Sequence, residues 1–137
     1  MKFFLDANII IYWIEGAEPF YSKFLFSLKN LKLQYPEALF AISRLSFLEC
    51  RVKPLEEKNL QLLSLYDQFF QASDLCIVEL TADVVNIATQ LKSQYKLRTP
   101  DALQVACALS ISFDNDVIFV TGDLRIKNIQ GLTVTYL

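Results

Sequence analysis

Short apolar segments alternate along the chain with longer stretches of helical periodicity. The apolar segments cover residues 2–5, 39–42, 76–80, 117–121 and 133–137, each of strand length and bounded by polar or turn-forming residues. Between them, residues 20–33 place Phe20, Phe24, Leu28 and Leu31 on one side of a predicted helix, and residues 82–95 do the same with Val84, Val85, Ile87, Ala88 and Leu91. Residues 102–113 offer Ala102, Val105, Ala106 and Leu109, small enough for close packing on a sheet. The run 45–70 reads as two successive helices broken near Lys53-Pro54, because proline lacks the amide proton that a helix interior uses. The second of them, with Leu55, Leu62 and Leu65 before Phe69-Phe70, is expected as an arm projecting from the sheet. Strands apolar on both faces and alternating with helices predict a parallel sheet covered on each side. The expected fold is a single α/β domain over 1–137. It is a three-layer α/β/α sandwich around a central, mainly parallel sheet of four or five strands.

Composition narrows the chemistry. With 137 residues, 53% of them hydrophobic, the chain can bury a sizeable core. Its richest apolar run, 8–14, falls far short of the roughly 20 residues needed to cross a bilayer. The N-terminus turns acidic at Asp6 before a signal-peptide core can form. A soluble, cytoplasmic protein with no membrane partner is expected. The cysteines Cys50, Cys76 and Cys107 form no Cys-x-x-Cys pair, which predicts buried thiols in a reducing compartment rather than a zinc knuckle. Histidine is absent. That excludes Ser-His-Asp, Cys-His and paired-histidine catalysis, and it leaves carboxylates, with a metal, as the leading means of hydrolysis.

Four acids stand where such chemistry would be built. The segment 3–5 runs into Asp6, and 117–121 leads through Gly122 to Asp123. The segment 39–42 ends at Ser43, and the helix after it carries Glu49; Asp101 lies in the first turn of a helix opened by Thr99-Pro100. In parallel α/β sheets ligands bind at the carboxyl ends of the strands, near a topological switch point. Carboxylates gathered there repel one another unless a hard cation such as magnesium or manganese holds them. Each acid also has a plainer reading. Asp6 suits the cap of a helix starting near Asn8, and Glu49 a solvated helix edge. Asp101 follows a Thr99 cap and a proline as a dipole-complementing acid, and Asp123 shapes a turn. Joint placement, rather than any one residue, favours a site. Asn8 and Thr121, two positions from Asp6 and Asp123 respectively, are the candidate supporting polar groups. Tyr12 and the single tryptophan, Trp13, are expected to pack rather than to stack on bases.

Taken in order, Leu-Asp-Ala-Asn-Ile-Ile-Ile-Tyr (5–12), Ser-Arg-Leu-Ser-Phe-Leu-Glu-Cys-Arg-Val (43–52), Leu-Arg-Thr-Pro-Asp-Ala-Leu-Gln-Val-Ala (97–106) and Val-Thr-Gly-Asp (120–123) resemble the four acidic motifs of PIN-domain nucleases, in particular the VapC-type toxins. The resemblance implies a magnesium- or manganese-dependent endoribonuclease acting on single-stranded regions of RNA. It further implies a homodimer, held inactive by a small antitoxin whose tail covers the acidic pocket. Carried over residue by residue, it makes Asp6, Glu49, Asp101 and Asp123 the catalytic, metal-binding acids, with Asn8 and Thr121 in support. One departure is Gln104, where relatives with this motif often carry histidine; another is Leu-Arg-Ile after Asp123.

The net charge of −2 looks mismatched with an RNA substrate until the four ligands are set aside, when eleven acids face thirteen basic residues, a balance of +2. Arg44, Arg51, Lys53, Lys96, Arg98, Arg125 and Lys127 lie near the motifs in sequence and are candidates for phosphate contact. Two other functions compete: a catalytically silent PIN-like module that binds RNA or protein, and an aspartyl-nucleophile phosphatase. The latter usually has a second Asp where this chain has Asn8.

Overall fold

The computed structural model describes residues 1–137. Its elements follow in the order β1 (Lys2–Leu5), α1 (Ala7–Glu15), α2 (Phe20–Gln34), β2 (Leu39–Ser43), α3 (Leu45–Glu56), α4 (Leu60–Phe70), β3 (Cys76–Val78), α5 (Ala82–Tyr95), α6 (Thr99–Ile111), β4 (Val117–Thr121) and β5 (Thr133–Tyr136). The strands form one sheet in the order β3-β2-β1-β4-β5 with every pair parallel. The fold is therefore the α/β sandwich expected, with five strands.

Alternation along the strands divides the core into two layers. Phe3 and Leu5 of β1, with Ile118 and Val120 of β4, face a cluster built from Ile9, Ile10, Phe24, Leu31, Cys50, Tyr66 and Phe70. Phe4 and Phe119, stacked at 5.7 Å, face the opposite cluster with Val84, Ala88, Leu91, Ala102, Val105 and Ala106. Helices α1 to α4 thus cover one face and α5 and α6 the other. The alanines of α6 let it lie close on the sheet, as their small size predicts. Trp13 packs against Phe24, Phe40 and Phe69, and Tyr12 stacks on Phe20 at 4.6 Å. No helix is long and apolar enough to cross a membrane.

Two boundaries differ from the sequence reading. Pro54 lies inside α3, and the break comes later, where Lys58 takes a left-handed conformation (φ 54°) and Asn59 caps α4 by accepting from the Leu62 amide at 3.1 Å. The positive φ, rather than the proline, turns the chain. Nor is α4 a free arm: Tyr66 and Phe70 are buried beneath it, and the Tyr66 hydroxyl donates to Glu15 of α1 at 2.5 Å. The most exposed large hydrophobics of the α3–α4 pair are Leu60 and Leu55, at the end near the turn. Helix α6 opens at Thr99, in line with the Thr99-Pro100 start, whereas β3 stops at Val78, two residues before the predicted end.

Candidate active site

The order β3-β2-β1-β4-β5 puts the topological switch between β1 and β4, and the chain leaves both strands at the same edge. Asp6 follows β1 immediately. Its backbone N–H donates to the Val120 carbonyl at 3.0 Å, which fixes the edge of the crevice. Its side chain caps α1: Oδ1 accepts from the Ala7 amide at 2.8 Å. Oδ2 accepts from the Thr121 hydroxyl at 2.8 Å and from Asn8 Nδ2 at 3.3 Å. The capping role is real, yet a surface cap is solvated and this carboxylate is only 5% exposed.

Thr121 and Asn8 tie Asp6 to the loop that carries Asp123. Thr121 Oγ1 accepts from the Asp123 amide at 3.0 Å while donating to Asp6, and Asn8 Oδ1 accepts from the Gly122 amide at 3.2 Å. Gly122 sits close to Tyr12: a Cβ there would meet the ring at 3.3 Å, and the ring would have to shift by a few tenths of an ångström. Asp123 itself is half-buried. Oδ1 accepts from the Arg125 amide at 2.9 Å and Oδ2 from Arg125 Nη2 at 2.7 Å, and this hydrogen-bonded guanidinium holds the carboxyl below the usual range.

The other two acids come from the helices on either side of the sheet. Asp101, in the first turn of α6, is buried and accepts from Arg98 Nε at 3.0 Å. The expected Thr99 cap is not formed. Arg98 occupies the cap position without a side-chain bond to the helix, and its guanidinium reaches Asp101 three residues on. Arg98 Nη2 also stands 4.0 Å from Asp123, so one arginine spans two of the acids. Glu49, half-buried on α3, accepts from Gln104 Nε2 at 2.8 Å.

Electrostatics link the remaining members. Burial pushes Asp6 from 3.8 up to about 6; hydrogen bonds from Thr121 and Ala7 oppose the rise, and the charges of Asp101 and Glu49 add to it. Asp6 thus feels Asp101 and Glu49 as like charges, and Arg98 joins Asp101 to Asp123. All four acids named from the sequence lie at one edge. They are not preset as a cage, since no three acidic side chains stand ready to hold a metal ion as they are. The donor set nevertheless suits a hard divalent cation: all its charged donors are oxygens, and Asp6 is buried among like charges.

Other expected participants are engaged elsewhere. Arg44 pairs with Glu79 at 2.6 Å, and Arg51 lies 3.4 Å from Asp67. Cys50 is buried and its thiol is pushed up to about 12 by burial, which makes it an inert core residue rather than a nucleophile. Two sets of contacts at the site lie outside the sequence reading, although that reading names Gln104, Arg98 and Arg125. Gln104 and Ser46 form a buried link between α6 and α3, and Arg98 and Arg125 cover the two outer acids. The signal for Gln104 was a polar residue on a helix face otherwise built from Ala and Val.

The PIN-domain family model matches residues 3–132. This chain belongs to the PIN-domain family. Several solved structures share its fold across nearly the full length. VapBC2 from Rickettsia felis, bound to a DNA fragment from its promoter, aligns with a TM-score of 0.74 and 22% identity, over 99% of this chain and 98% of that one. DNA-bound VapBC from Salmonella typhimurium gives 0.70 and 19%, over 99% and 98%. A toxin–antitoxin complex from Klebsiella pneumoniae gives 0.67 and 21%, over 95% and 94%. No curated protein is significantly similar in sequence. In this PIN domain the four acids come from the ends of β1 and β4 and from α3 and α6.

Proposed function

We propose that this chain is a magnesium- or manganese-dependent endoribonuclease and the toxin of a toxin–antitoxin pair. The observation that carries the reading is Asp6: a carboxylate, almost fully buried at the switch point of a parallel sheet and raised further by Asp101 and Glu49. Keeping such a group costs stability, and a cation-dependent function is the reason to keep it. The fold shared with solved VapBC and toxin–antitoxin complexes supports a small antitoxin as partner; a homodimeric assembly belongs to the same proposal.

In this reading Asp6, Glu49, Asp101 and Asp123 hold the ion. A bound divalent cation supplies a water ionised at neutral pH and neutralises charge on the phosphoryl group. The chain's own residues do the rest. Thr121 and Asn8 orient Asp6 and fix its distance from Asp123. Arg98 and Arg125, 62% and 64% exposed, reach from the acids toward solvent and are the side chains suited to meet phosphates of single-stranded RNA.

The test is cleavage of a single-stranded RNA in magnesium. Activity is expected to vanish in EDTA, to return with manganese, and to fall by on the order of 10²–10³-fold in Asp101→Asn, with the far-UV spectrum unchanged. Full activity in that variant would remove Asp101 from the site. A silent RNA- or protein-binding module is the second reading. It is favoured by one observation, that Asp101 and Asp123 are already neutralised by arginines and no three acids stand ready for a metal. Wild-type protein that binds RNA but leaves it intact in magnesium and in manganese would establish that module. The phosphatase loses ground, since Asn8 stands where its second acid belongs and donates to Asp6.

A further inference from the structure

Helix α6 presents Asp101, Gln104 and Cys107 at three-residue intervals, on one face, toward β2 and α3. Asp101 belongs to the acidic edge and Cys107 donates to Ser43 at 3.4 Å. Gln104 lies between them and is 1% exposed. Its Nε2 donates twice, to Glu49 Oε1 at 2.8 Å and to Ser46 Oγ at 3.0 Å. Ser46 and Glu49 are themselves one turn apart on α3, so a single amide group bridges the two helices.

The other half of that amide is unusual. Gln104 Oε1 is buried and has no hydrogen-bond partner, the only such side-chain atom in the molecule. Buried polar groups are almost always paired, so an orphan calls for a reason. Turning the amide over would not help. It would aim a carbonyl oxygen at an ionised carboxylate, which only accepts. The residue therefore sacrifices one end to present two N–H groups at the other, one of them to Glu49.

We propose that Gln104 is a positioning residue for Glu49, its buried amide holding that carboxylate in the rotamer that faces the cation site. The inference rests on the metal-dependent reading above, because it assigns Gln104 a purpose only if Glu49 is a ligand. A packing role would need neither a donor nor the unpaired oxygen; leucine has nearly the same volume and would remove that oxygen, at the cost of the bonds to Ser46 and Glu49.

The two roles separate by measuring manganese affinity, by electron paramagnetic resonance, beside thermal melts of the metal-free protein. Gln104→Leu is expected to bind manganese on the order of 10-fold more weakly while melting close to wild type, because removal of the orphan oxygen offsets the lost bond to Ser46. Gln104→His, which restores an N–H donor, is expected to recover affinity to within about threefold, inside the scatter of an outer hydrogen bond. In a Glu49→Gln background, Gln104→Leu is expected to cause no further loss, since the two act as one unit. Wild-type affinity in Gln104→Leu, or an equal loss in both backgrounds, overturns the proposal while leaving the metal site standing. Wild-type protein that binds manganese no better than Asp6→Asn overturns both at once.

Discussion

Asp6 is the residue whose energetics decide the most. Its folded value, about 6, lies above the ordinary 3.8, so the folded protein holds this proton more tightly than the unfolded chain. The contribution of Asp6 to the stability of the metal-free protein is accordingly greatest below about pH 4 and declines by about 3 kcal/mol as pH rises through 6. Asp6→Asn removes the buried charge but keeps an acceptor for Thr121 or Ala7. At pH 7.5 without metal it is expected to raise the melting temperature by about 5 °C, while abolishing metal-dependent cleavage. A variant that melts lower than wild type would mean that the hydrogen bonds outweigh the charge. In the active protein, protonation of the same group competes with the cation, so activity is expected to fall as pH drops below about 6. Asp6, Asp101 and Asp123 were legible in the sequence because they follow strands or open a helix, and Glu49, inside α3, because its motif follows the end of β2. Gln104 and Ser46 were not, since their pairing joins residues 58 apart and no local pattern encodes it.

At the scale of elements, strands and helices were readable wherever apolar period and length agreed. β1, β4 and α5 stand at the predicted residues. The misreading at α3–α4 has a specific cause. Proline is a strong local signal, but Pro54 sits one turn from the helix end, and the chain turns only where Lys58 adopts positive φ. Lysine gives no warning of a left-handed conformation, unlike glycine or asparagine. Asn59 directly after it was the available clue, as a preferred cap. Asn59→Ala is expected to lower stability by about 1 kcal/mol through loss of the bond to Leu62, read as a shift in urea midpoint at constant slope. No shift would mean that packing of Tyr66 and Phe70 holds α4 without its cap.

For the whole molecule, the proposed RNA substrate requires an acidic protein to handle a polyanion. The acids are drawn into one buried edge, and Arg98 and Arg125 stand over them on the solvent side. Replacing both by glutamine is expected to act in opposite directions on the two ligands. Manganese should bind more tightly, because two competing cations are gone. Single-stranded RNA, measured with calcium in place of magnesium, should bind more weakly, with a salt slope shallower by about 1.4. Weaker binding of both ligands would show that the arginines brace the acids instead of covering them.

The parallel sheet has one more effect at this edge. Asp6 caps α1 and Asp101 occupies the first turn of α6, so two helices direct the positive ends of their peptide dipoles at the same crevice. Mobile guanidinium groups are screened by added electrolyte, whereas partial charges fixed at the α1 terminus, where Asp6 and Ala7 are buried, are screened far less. Part of the anion affinity of this edge should therefore survive in concentrated salt, after the contribution of the flexible side chains has been titrated away.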